Sequence, residues 1–204
     1  MIITMVFHPR GVALPGEVEP VLRMLVGVHS LGLASIPVLF LGAWGMSRRL
    51  ATPGRWAIVA LVLYGFALVA VMNAAVFDGL VAPNVIRKIV STTAATNDGW
   101  RIAFNYNFEL NQAFARLFAV ASSVAILLWS VVIVRTATFA RGVGIYGCIL
   151  GPIIVIAVFS GHLRPDVHGF GALILGEAIW FIFIGAKLCQ TEKQKEPGQS
   201  PADN

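Results

Sequence analysis

Charge is the first thing this sequence lacks. Asp, Glu, Lys and Arg supply 12% of its 204 residues, about half the usual share of a soluble domain. The deficit is uneven: long apolar runs alternate with short clusters that hold most of the charge. That pattern excludes both an ordinary soluble domain and a disordered chain. Cysteine is nearly absent as well. Cys148 and Cys189 both fall near the cytoplasmic end of a span in the topology below, so a structural disulfide is not expected and buried thiols are.

Several chemical signatures are also missing. There is no Cys-x-x-Cys-His, no His-Glu-x-x-His, and no Asn-x-Ser/Thr sequon. The glycines at 142, 144 and 147 lack the preceding strand that a phosphate-binding loop requires. Ser160, His162 and Asp166 stand close together, but a polar turn accounts for them. Met1 to Phe7 is too short for the apolar core of a signal peptide, and no small-residue cleavage site follows it.

What is present is apolar length. Hydrophobic residues make up 57% of the chain, gathered into five runs at about 21–46, 56–77, 100–134, 142–163 and 168–188. In lipid such runs must be helical, because the bilayer offers no partners to free backbone N–H and C=O groups. The expected fold is therefore an all-α integral membrane protein, a bundle of five transmembrane helices plus one short amphipathic interfacial helix. The segment 1–20, with Pro9, Pro15 and Pro20, reads as irregular and on the outer side. Pro37 predicts a kink in the first span. Pro83 and Asn84 open the stretch at about 84–95, too short and too polar to span, which predicts a helix lying on the membrane surface with Val85, Ile86, Ile89 and Val90 on its apolar face. Asp98 reads as a helix N-cap. Residues 190–204 read as a disordered cytoplasmic tail. Five spans do not divide into the two equal halves common among transporters.

The net charge of +5 does not point to nucleic acid, because no basic stretch is interleaved with aromatics and cytoplasmic loops of membrane proteins gather Lys and Arg, although Arg87, Lys88 and Arg101 fall in the long outer segment. Arg48, Arg49 and Arg55 follow the first span, Arg135 and Arg141 the third, and Lys187, Lys193 and Lys195 the fifth. The positive-inside rule then predicts an outside N-terminus and a cytoplasmic C-terminus in a bacterial inner membrane. Trp44, Trp56, Trp129 and Tyr146 fall near the inner side, where aromatic belts form.

Ionisable groups within spans are costly, so they mark partners or function. Arg116 in the third span and Glu177 in the fifth stand out, joined by His29 and Asn73 from the first two spans. Glu109, Gln112 and Arg116 share one helical stripe that Ala119 and Ser123 continue, which predicts an inward polar face. Together His29, Asn73, Glu109, Gln112, Arg116 and Glu177 form a candidate ligand-binding or intramembrane polar cluster in the outer half of the bilayer. Whether Arg116 pairs with Glu177 or Glu109 stays open. In the fourth span Gly144, Gly147 and Gly151 make a small-residue ridge for close helix packing. At the outer turn, His162, Asp166 and His168 are a candidate metal set, and His29 with His162 or His168 is a candidate haem pair.

The leading expectation is a non-catalytic membrane protein that binds a small molecule or lipid, or packs as an accessory subunit, with no cofactor. The bilayer is its first partner, with another membrane protein or a second copy as further partners and nucleic acid excluded. A redox protein or metalloenzyme using the outer histidines with haem or a divalent metal is one alternative. A small proton-coupled transporter is the other.

Overall fold

The computed structural model describes residues 18–51, 55–92, 97–163 and 167–193, and the expectations for the N-terminal 17 residues, Asp166 and the last eleven residues lie outside them. Among the described residues every regular element is helical: α1 (Val18–Leu50), α2 (Trp56–Val76), a π-turn (Phe77–Val81), α3 (Ala82–Ser91), α4 (Asn97–Thr136), α5 (Arg141–Phe159) and α6 (Val167–Lys193). Five stretches are long and apolar enough to cross a membrane: Val18–Leu50, Trp56–Ser91, Asn97–Thr136, Arg141–Phe159 and His168–Leu188.

The helix ends follow local chemistry. Basic Arg48 and Arg49 close α1, and α4 carries Asp98 in its first turn and Arg135 in its last. Each sits where the helix dipole favours its sign. Asp98 is thus inside the first turn, with Asn97 starting the helix. Helix α1 runs through Pro37 without interruption. Helix α5 ends at Gly161, whose φ of +74° is the left-handed conformation glycine adopts cheaply.

Helix α4 is the hub. Its buried residues run from Asn107 to Ile133 and meet α2 on one side and α5 on the other. The expected glycine ridge on α5 is what brings α5 close. A Cβ on Gly144 would lie 2.7 Å from the Val134 side chain, and one on Gly151 would lie 2.8 Å from the Ser123 carbonyl. At Gly147 a Cβ would meet Ser130 Oγ and Trp180 Nε1. No larger residue permits that approach.

Trp129 departs from the sequence reading. Trp44 and Trp56 are exposed, as an aromatic belt requires, but Trp129 is fully buried. Its indole N–H reaches Ser47 Oγ at 3.0 Å and the Ala57 carbonyl at 3.2 Å, so one side chain of α4 ties the end of α1 to the start of α2. Its ring stacks on Trp180 at 6.0 Å and tilts against Tyr64 at 5.4 Å. Half-buried Tyr146 likewise turns inward, its hydroxyl donating to the Gly176 carbonyl.

The predicted short helix is present as α3, joined end to end to α2 through the π-turn in one long second helix, with Pro83 at its start. Two contacts fix its direction. His29 meets Asp78, and Glu19 meets Arg87. Ten residues along α1 thus match nine along the second helix. At about 1.5 Å per residue both stretches measure about 14 Å, so the two helices stay side by side. The amphipathic pattern was real, since Val85 is buried and Lys88 exposed, but the apolar face is taken up by neighbouring helices.

Helix α1 is held differently along its length. Leu22 and Leu25 are buried at one end, and Ala43, Met46, Ser47 and Leu50 at the other. Between residues 26 and 42 none is buried. In that middle stretch His29 contacts Asp78, and Ile36 and Leu39 pack partly buried against the core.

Candidate functional site

Two polar centres emerge, and they divide the predicted cluster between them. The first surrounds the π-turn. A π-turn bonds each carbonyl to the N–H five residues on, and here the Phe77 carbonyl accepts the Ala82 N–H while the Ala74 carbonyl accepts the Phe77 N–H. Helix α4 adds a second donor to each. Asn107 Nδ2 donates to the Phe77 carbonyl at 3.0 Å, and Asn111 Nδ2 donates to the Ala74 carbonyl at 2.9 Å. Gln112 Nε2 donates onward to Asn111 Oδ1 at 3.3 Å. On the opposite side of the turn stands α1. His29 Nε2 lies 3.1 Å from Asp78 Oδ2, and His29 Nδ1 lies 2.8 Å from the Leu25 carbonyl. Gly79 allows this approach, because a Cβ there would overlap the His29 side chain.

Further along, Arg87 forks onto Glu19 with two contacts of 3.0 Å. The bidentate guanidinium holds the Glu19 carboxyl below its ordinary value, with the Arg23 charge adding to the effect. These residues lie ahead of the apolar stretch of α1.

The second centre is Glu177 on α6. It is buried, and its Oε1 lies 2.5 Å from Ser122 Oγ of α4. One turn along α6, Trp180 and Phe181 pack with Trp129 and Tyr64 into an aromatic cluster with ring separations of 5.1–6.3 Å. Among the described residues, buried Ser123 Oγ, Ser130 Oγ and Trp180 Nε1 have no hydrogen-bond partner. A buried polar seam therefore follows α4 against α5 and α6, built from serines that a search for charge passes over.

The structure brings together fewer of the predicted residues than the spacing implied. His29 and Gln112 belong to the π-turn centre. Asn73 sits beside it, but its amide donates to the Val69 carbonyl of its own helix. Glu109 and Arg116 are exposed, and among the described residues no ion pair joins Arg116 to Glu109 or to Glu177. The predicted stripe was rotated on α4. Its deeper members, Ala119 and Ser123, are buried as expected. Its outer members yield the inward face to Asn107, Asn111 and Ala115, where amides and a small side chain pack against backbone.

The histidines at the α5–α6 turn are apart from this. His162 is exposed, its Nδ1 lying 2.8 Å from Ser160 Oγ, and His168 is exposed in the first turn of α6. Among the described residues no group of three His, Cys, Asp or Glu side chains is placed to hold a metal. Both ring nitrogens of His29 are engaged, so ligation of haem there would break either the Leu25 or the Asp78 contact.

One further feature is an open groove of about 420 Å³ between the middle of α1 and α2. Ile36 and Phe40 line one wall, and Val62, Phe66, Val69 and Met72 the other, with Gly65 at its floor. Compared with known proteins, the chain matches no family model, no curated protein and no solved structure.

Proposed function

We propose that this is a multi-pass protein of a bacterial inner membrane that binds a lipid acyl chain without carrying out chemistry on it. The observation that carries the reading is the α1–α2 groove. It is open along one side, its walls are apolar, and it runs between two neighbouring helices, a shape that suits an extended chain. A bilayer supplies the matching occupant in excess.

Membrane residence is supported by the outside of the bundle. Leu31, Val38 and Leu41 on α1, Val62 and Phe66 on α2, and Ile145, Ile149, Ile153 and Ile156 on α5 are all exposed. A soluble protein does not leave such continuous apolar faces to water. The basic residues Arg48, Arg49, Arg55, Arg135, Arg141 and Lys187 gather at one end, favouring a cytoplasmic C-terminus and an outside N-terminus.

Helix length then sets depth. Arg116 lies 19 residues before Arg135, or about 28 Å, close to the full ~30 Å hydrocarbon thickness. His29 and Asp78 lie 20 and 23 residues from Arg49 and Arg55, about 30 and 34 Å. The π-turn centre therefore sits at the outer interface, where exposed Arg116 reaches headgroups and water. Glu177 is ten residues from Lys187, about 15 Å, and sits at mid-depth.

The test is native mass spectrometry on protein released in mild detergent. The wild type should retain one lipid per chain, and Gly65→Phe, which fills the groove, should lose it while staying monodisperse. Retention unchanged in Gly65→Phe, or a wild type that carries no lipid, would overturn the assignment. A protein partner retained in place of lipid would instead support an accessory-subunit role.

A further inference from the structure

Glu177 invites a proton count. Ser122 Oγ has a single hydrogen and three oxygen neighbours: the Phe118 carbonyl at 2.8 Å, the Ala119 carbonyl at 3.4 Å and Glu177 Oε1 at 2.5 Å. Carbonyl oxygens only accept. If Glu177 were ionised it too could only accept, and at least one close oxygen pair would hold no hydrogen. If the Glu177 carboxyl carries a proton, the chain closes: its O–H donates to Ser122, and Ser122 donates to the Phe118 carbonyl.

The surroundings agree with a neutral group. Glu177 is 4% exposed and Ser122 fully buried. The titratable neighbours are Tyr64, which faces the carboxyl from α2, and Tyr146 of α5, which donates to the adjacent Gly176 carbonyl. Neither supplies positive charge. Among the described residues no Lys, Arg or His forms an ion pair with Glu177. A metal ion would need more oxygen ligands than one carboxyl and one hydroxyl, and a bulky organic cation would need an open cage. A proton needs neither.

We propose that Glu177 is an intramembrane proton-binding site, protonated in the closed bundle and able to release its proton only when the seam between α4 and α6 opens. Release leaves a carboxylate with one hydroxyl donor in a dry seam, so it favours separation of α6 from Ser122. Reprotonation draws the seam shut. None of the groove's lining residues contributes to this site, which does not depend on that groove being occupied.

The experiment is infrared spectroscopy of the full chain in lipid bilayers, titrated from pH 5 to 10 in H₂O and D₂O. A carboxylic-acid C=O band should persist at neutral pH, where an exposed glutamate with an ordinary value of about 4.3 has lost its proton. The band should vanish in Glu177→Gln, survive in Glu109→Gln, and shift in frequency in Ser122→Ala, which removes the acceptor. Absence of the band at pH 7 in the wild type would overturn the proposal. So would a band that survives unchanged in Glu177→Gln, since the proton would then sit on another acid.

Discussion

His29 of α1 and Asp78 of the π-turn meet at 3.1 Å across the one position, Gly79, where an added Cβ would fall on the histidine side chain. The pair and the glycine are one device. Without a side chain at 79 the two helices close to hydrogen-bonding distance, and with one they cannot.

Gly79→Ala should therefore destabilise the protein by about 1–3 kcal/mol, the cost of overpacking a close contact. Adding His29→Gly removes the Cβ that the new methyl would meet, so the double variant should lose less than the sum of the two single changes. Thermal unfolding in detergent measures both. Additive losses would mean that the two residues do not touch.

The α4–α5 contact offers a sharper contrast. Gly147→Ala places a methyl on Ser130 Oγ and should cost a similar ~1–3 kcal/mol. Ser130→Ala should be neutral or stabilising, because it deletes a buried hydroxyl that has no partner. Unfolding midpoints that fall equally in both variants would contradict this packing.

Tryptophan placement separates belt from core. Trp129→Phe loses two hydrogen bonds and ring volume in a closed core and should cost about 2–4 kcal/mol. Trp56→Phe, at an exposed site, should stay within about 0.5 kcal/mol. Equal effects would return Trp129 to the lipid surface.

Acid should loosen the outer ends of α1 and α3 first. The folded value of Glu19 is depressed below 4.5 by Arg87. Its contribution is therefore fully present above that value and is lost as pH falls through the lowered one. Hydrogen exchange near Glu19 and Arg87 should accelerate below pH 4.5, and Glu19→Gln should show no such step. Because the pair is exposed, added salt should weaken it.

Sequence alone determined how many long apolar helices this chain has and roughly where each begins and ends. Those properties are local. Apolar length, basic clusters and the spacing of Gly144, Gly147 and Gly151 are written in consecutive residues, and burial requirements translate them directly. Even the amphipathic stretch at 84–95 was legible as a pattern, though not the surface its apolar face would meet. Tertiary structure decided which way each helix is turned about its axis. Charge suggested that Glu109 and Arg116 face inward. Once α4 is 40 residues long, these groups can stand outside an apolar layer, and the inward face goes to Asn107 and Asn111, which donate to carbonyls beside the π-turn. Nothing local announces that turn, nor the hydroxyl that closes on Glu177 from 55 residues away. A helix's rotation is set by what its neighbours leave unsatisfied, and only the assembled bundle specifies that.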